Sequence, residues 1–122
     1  MPFSHADRPI YELKANLFKG LSHPLRIRIL ELLSAASEVS VADLLSETAL
    51  EPSHLSQHLA VLRRYQLVLS ERRGSHVFYR LTHPETAEML AVARRLLLHL
   101  LDDDAAHLSG VRDLPPLTGD RA

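Results

Sequence analysis

Residues 50–81, LEPSHLSQHLAVLRRYQLVLSERRGSHVFYRL, change their apolar period once, and that change limits the folds open to this chain. Pro52 suits the first helical position, where a missing backbone N–H costs nothing, so a helix is expected to open at Glu51-Pro52. Leu55, Leu59 and Leu62 then recur at i, i+4 and i+7 and make one apolar stripe. Ser53, His54, Ser56, Gln57, Ala60, Arg63 and Arg64 fall on the other face, short polar groups first and arginines last. After Tyr65-Gln66, Leu67-Val68-Leu69 and His76–Leu81 are rich in β-branched and aromatic residues, as strands are. Between them Arg73-Gly74 supplies a tight turn, glycine being free to take φ > 0. The tip, residues 70–76, is net positive and too polar for a core. A helix followed at once by a basic-tipped hairpin is predicted.

A chain of 122 residues supports one domain with a modest core. It has no cysteine, which excludes disulfides, thiolate metal sites and thiol redox chemistry. The opening MPFSHADRPI lacks the apolar run of a signal peptide and no stretch approaches a membrane span, so a cytoplasmic protein is expected. The net charge of −1 and pI near 6.7 count against a nucleic-acid binder, but the distribution outweighs the sum. Between residues 52 and 80 five arginines stand against one glutamate, while Asp102-Asp103-Asp104 collects acid elsewhere. A segregated basic face binds phosphate even on a neutral protein.

Three domains of behaviour are expected along the chain: a flexible arm over residues 1–8, a folded domain over 9–106 and a disordered tail over 107–122. Tyr11, Leu13, Ala15, Leu17 and Phe18 mark a first helix that Gly20 ends. Ser22-His23-Pro24 starts a second, with Leu25, Ile29, Leu32 and Leu33 facing inward, stopping near Ser34-Ala35. Ser40 caps a third, with Asp43 three residues on, and Glu47-Thr48-Ala49-Leu50 turns into the helix described above. Two short helices joined by a tight turn, the second polar outside, make a helix-turn-helix, and the hairpin adds a wing. The fold class is therefore mainly α with a small β-hairpin (α+β), in the order α-α-α-α-β-β-α. After Thr82-His83-Pro84-Glu85 a last helix begins, on which Met89, Leu90, Val92, Ala93, Leu96, Leu97, Leu98, Leu100 and Leu101 cover more than one face. A surface helix leaves one side polar, so this one is expected to pack on a partner subunit with help from the first helix.

Taken together, SHPLRIRILELL, LSQHLAVLRRYQLV and ERRGSHVFYRL followed by a last helix resemble the ArsR/SmtB family of bacterial repressors over about residues 10 to 105. The resemblance implies a homodimeric winged helix-turn-helix repressor that sits on double-stranded operator DNA and leaves it when an effector binds. It also implies dimer contacts through Tyr11, Leu13, Leu17, Met89, Leu90, Ala93, Leu96, Leu97 and Leu100. Ser53, His54, Ser56, Gln57 and His58 are then the candidates for base or nearby phosphate contacts, Gln57 foremost, because its amide pairs bidentately with adenine. His58 neighbours Leu59 and either joins that set or turns inward. Arg63, Arg64, Arg72, Arg73 and Ser75 are assigned to phosphate, the wing arginines alternatively to a narrow minor groove.

The family's cysteine metal site is missing, since Ser40 and Ala42 stand where thiolates would be. For a second family site, on the last helix, His83 and Glu85 take two positions, but the others fall on Leu96 and His99. A shifted set of His99, Asp102, Asp103 and His107 offers nitrogen and oxygen ligands for zinc, nickel or cobalt. A helix cap at residues 82–85 and a solvated helix end at 102–104 explain the same residues, so no cofactor is expected and a divalent-metal sensor is the secondary reading. A protein-interaction module that uses the apolar helix is a third. No glycine-rich phosphate loop and no placed histidine-carboxylate set points to an enzyme.

Overall fold

The computed structural model describes residues 8–112. Its elements are α1 (Arg8–Leu21), α2 (Pro24–Ser34), β1 (Val39–Ser40), α3 (Val41–Thr48), α4 (Pro52–Arg64), β2 (Val68–Arg73), β3 (His76–Leu81) and α5 (Glu85–Arg112). This is the expected α+β order with one addition. β1 pairs antiparallel with β3, Val39 opposite Tyr79 and Ser40 opposite Phe78, and makes a three-stranded sheet in the order β1-β3-β2. Two residues are too few to show an alternating period, so nothing local announces that strand. Contacts divide the chain after Glu88 into two units, the first ending in the first turn of α5 and the second holding the rest of that helix.

In the first unit α1, α3, α4 and β3 all pack on α2. Because neighbours cover it from several sides, α2 buries Ile29, Leu30 and Leu33 almost completely. The single stripe expected from the sequence is corrected by this: Leu25 and Leu32 are only half-buried, and Leu30 takes their place. α1 also runs one residue past Gly20 to Leu21. Gly20 serves close approach instead of termination, since a Cβ there would lie 3.0 Å from Cγ of Tyr65. The carbonyls at that helix end are taken up by Arg26, whose guanidinium donates to Gly20 O (2.9 Å) and Lys19 O (3.1 Å).

The helix-turn-helix forms as its capping residues direct. The Ser40 hydroxyl accepts from the Asp43 N–H at 3.1 Å and opens α3. Ala49 closes it in the left-handed region (φ 55°), donating its N–H to Leu45 O at 2.9 Å. α4 then starts at Pro52 and buries Leu55, Leu59 and Leu62, and Leu67, Val68 and Tyr79 continue the same core into the sheet.

The hairpin is longer than its polar tip implied. Residues 70–73 belong to β2, Arg73 pairs with His76, and the two turn residues are Gly74-Ser75, one position later than Arg73-Gly74. Gly74 has φ 63°, which a two-residue hairpin turn requires at its first central position. Polar side chains are no obstacle to strand here, because both faces of a projecting wing meet solvent.

α5 begins with Thr86 buried and continues to Arg112, so residues 107–112, expected in a disordered tail, are helical. Residues 113–122 of that tail and 1–7 of the arm lie outside the described residues, and Arg8 is the first residue of α1. In the single chain residues 91–108 of α5 are all exposed, its leucines included. Among the described residues no helix is long and apolar enough to cross a membrane.

The position of the α2 core separates two neighbouring leucines. Leu30→Ala is expected to cost about 2–5 kcal/mol and Leu32→Ala less than half as much, measured by urea unfolding at constant m-value. Equal losses would mean that α2 presents the single stripe read from the sequence.

Candidate nucleic-acid interface

The stripe Leu55, Leu59, Leu62 fixes the rotation of α4 and therefore what it shows outward. Ser53, His54, Ser56 and Gln57 are all exposed, on the first two turns. Arg63 and Arg64 are exposed in the last turn, where cations also suit the helix dipole. Glu51, the N-cap, makes no side-chain capping bond to the first-turn N–H groups of α4. His58 departs from the set: it is half-buried, and its ring lies against His23 of α2 with centroids 4.4 Å apart. Burial first, then the neighbouring His23, Arg26 and His54, hold its pKa below the ordinary 6.5 of a histidine.

The chain leaves α4 through Gln66, held at φ 61° with its N–H on Arg63 O (2.9 Å). Leu67 N–H donates to Leu62 O (2.9 Å), Thr82 N–H to Leu67 O (3.1 Å), and the Thr82 hydroxyl to Gln66 O (2.7 Å). Leu67 thus ties the first root of the hairpin to the last turn of α4, and Thr82 ties the second root to Leu67 and Gln66 in the segment that follows the helix.

On the wing the two adjacent arginines differ. Arg72, opposite Val77, is exposed. Arg73 is turned back onto the body of the protein. Its guanidinium donates to the Glu38 carboxylate and sits 3.9 Å from the centroid of the Phe78 ring. The Glu38 hydrogen bond is the first cause raising its pKa above the usual arginine value. Ser75 is exposed in the turn itself. The structure therefore gathers Ser53, His54, Ser56, Gln57, Arg63 and Arg64 on α4, places Arg72 and Ser75 on the wing, and engages His58 and Arg73 in contacts of their own.

Three supporting residues were not found from the sequence. Glu38 meets Arg73 across 35 positions of chain, a pairing with no local signal. His23 caps α2 through its imidazole where serine, threonine or aspartate is the usual choice. Arg26 reads as a solvated position but holds the end of α1.

The metal candidates do not converge. His83 and Glu85 border an open groove of about 620 Å³ with Leu17, Arg63 and Leu69. His99, Asp102, Asp103 and His107 stand exposed along α5. Among the described residues no three histidine, aspartate or glutamate side chains are grouped so as to hold a metal ion.

Residues 23–70 match the family described as bacterial regulatory protein, arsR family. Rv0081, an uncharacterized HTH-type transcriptional regulator of Mycobacterium tuberculosis, is 50% identical over 107 residues, 87% of this chain and 93% of that one. Its crystal structure aligns with a TM-score of 0.74, covering 80% of this chain and 97% of the other. A biofilm growth-associated repressor of Xylella fastidiosa is 38% identical over 76 residues, 62% of this chain and 66% of its own. The homodimeric winged helix-turn-helix DNA-binding domain Mb0332 of Mycobacterium bovis has the same fold at 24% identity, with a TM-score of 0.69 over 80% of this chain and 89% of that one. Half-identical to a regulator along nearly the whole of that protein, and sharing its winged helix-turn-helix fold, the chain belongs to the ArsR family of bacterial regulatory proteins.

Proposed function

We propose that the chain is a homodimeric transcriptional repressor that holds double-stranded operator DNA through α4 and the wing and leaves it when an effector binds. The observation that carries this reading is the division of α4 into a sealed leucine stripe and an exposed face of Ser53, His54, Ser56 and Gln57 ending in Arg63 and Arg64. Short hydrogen-bonding side chains on the first turns suit base edges in the major groove, and Gln57 is the residue assigned to a base. The uncapped N-terminus of α4 suits a phosphate, as do the arginines at its other end. Arg72 takes the wing contact with the backbone or minor groove, and Ser75 lies beside it. Arg73, already engaged by Glu38 and Phe78, holds the wing in position for Arg72.

Dimerisation is assigned to α1 and α5. Tyr11 and Leu13 of α1 and Leu96, Leu97 and Leu100 of α5 leave half or more of their surface uncovered in the single chain. Ala93 of α5 is exposed as well, and Leu17, Met89 and Leu90 are half-buried. The homodimeric domain Mb0332, of the same fold, accords with this assembly. The two copies of α4 then have to lie about 34–36 Å apart to enter successive major grooves.

The test uses a palindromic duplex selected by the protein itself from a random-sequence library. Affinity is expected to fall with salt, the logarithmic slope being about −0.9 for each phosphate contacted, and a flat response would remove the DNA reading in favour of a protein-interaction module. Gln57→Ala is expected to relax preference at a single base pair, at a cost of about 1–3 kcal/mol. Arg72→Ala should weaken binding to every sequence alike and lower the salt slope by about one, whereas Arg73→Ala should leave that slope within about half a unit of wild type.

A dimer held by α5 makes a separate prediction. Leu97→Glu puts a charge into an apolar contact and should shift the sedimentation coefficient towards the monomer at micromolar concentration. An unchanged sedimentation profile would place the dimer contact elsewhere.

A further inference from the structure

α2 and α4 meet at a pair of histidines. His23 is the N-cap of α2, and its Nδ1 accepts the Leu25 N–H at 3.1 Å. That bond needs the lone pair on Nδ1, so a proton there abolishes it. The same proton would set a positive charge at the positive end of the α2 dipole. His58 of α4 lays its ring on the other side of this cap, tilted by 50°.

Among the described residues, the charged and titratable groups that act on His58 all oppose a proton on it. From α2 the groups acting on His58 are His23 and Arg26, and from α4 it is His54, one turn earlier. Arg26 is held in place by the carbonyls that end α1. Each of these groups is a cation or becomes one on protonation, and together with burial they depress the pKa of His58.

We propose that the His23–His58 contact is the seat that fixes the first turns of α4 on α2, and that its protonation releases operator DNA as the medium turns mildly acidic. This rests on α4 being the DNA-facing helix. The sign follows from linkage. A histidine with a depressed native pKa stabilises the native packing fully above about pH 6.5, and that contribution is lost as pH falls through the native value. The seated form that binds DNA therefore carries fewer protons than the loosened one. Affinity should drop by about tenfold per pH unit for each proton taken up. His54, exposed on the face assigned to DNA, acts in the opposite direction, because its imidazolium attracts phosphate.

The experiment follows fluorescence anisotropy of the duplex selected at about pH 8, at fixed salt, from about pH 8 to about pH 5.5. Wild-type affinity is expected to fall by about tenfold or more over that range, and His54→Gln should fall more steeply. His23→Ser keeps an N-cap acceptor but removes the ring on which His58 packs, so it should bind more weakly than wild type at pH 8 and lose most of the fall, keeping less than about threefold. A wild-type affinity that stays level or rises, with His54→Gln doing the same, would overturn the proposal, as would an undiminished fall in His23→Ser. In the DNA-free protein the Leu25 amide resonance is expected to move in the same pH window as the ring protons of His23 and His58. A Leu25 amide that ignores that titration would refute the seat whatever the DNA does. Absence of any binding at pH 8, with Leu25 still following the histidines, would instead count against the DNA reading of α4.

Discussion

The burial of Leu55, Leu59 and Leu62 governs the rest of the structure's outward face. At 100° per residue these three side chains lie within roughly 60° of arc, and they are closed in by α2, α3 and β2. Each buried leucine is worth roughly 1.5–3 kcal/mol. Turning α4 by one position would expose part of the stripe and push Ser56 and Arg63, or in the other sense His54, towards the core without partners, which costs several kcal/mol more. Ser53 and Gln57 face outward for that reason and not through any preference of their own. His58 sits about 70° from the centre of the stripe, on the flank that α2 covers. Half-immersion follows from that angle, and so does its meeting with His23.

The same logic extends to the wing, whose orientation is set at both of its ends. At the root, the Leu67 N–H bonds the last turn of α4, and the Thr82 N–H and hydroxyl bond Leu67 and Gln66 just after it. Further out, β1 adds a third strand to β3, and Glu38, just before β1, takes hold of Arg73. An exposed ion pair contributes little stability, roughly 0–1 kcal/mol. Here its consequence is geometric: the pleat of β2 sends Arg72 and Arg73 to opposite faces, and Glu38 with the Phe78 ring holds the Arg73 side chain. Arg72 stays exposed on the wing while Arg73 is engaged.

What the sequence made legible was whatever is periodic or capped. The α4 stripe, the Ser40 cap, the Pro52 start and the order of helices and hairpin each come from a run of residues that carries its own signal. What it hid depended on distant chain. Leu30 is buried because α2 has neighbours on several sides, β1 exists only through β3, and the Glu38–Arg73 pair spans both. The turn falls at Gly74-Ser75, one residue later than polarity alone suggests, because an exposed wing tolerates polar strands. In the candidate site, Ser53, His54, Ser56 and Gln57 follow from helical angle alone. The roles of His23 and Arg73 do not, since each is decided by a side chain from another element.

α5 poses a different constraint, because a 28-residue helix extends about 42 Å and carries large apolar side chains over more than one face. Val92, Leu96, Leu97, Leu98, Leu100 and Leu101 are each about half exposed in the single chain. Covering the open half of one such side chain is worth roughly 1 kcal/mol. Two copies of α5 that cover one another can therefore gain an amount of the same order as the roughly 4–15 kcal/mol cost of association. On that balance α5 alone makes a marginal dimer. The apolar residues that α1 leaves open, Ile10, Leu13 and Phe18, are what the proposed assembly needs to become firm. A repressor dimer built in this way draws its stability from helices outside the helix-turn-helix. Changes at α1 and α5 then alter how often two copies of α4 are presented together, without touching a residue assigned to DNA.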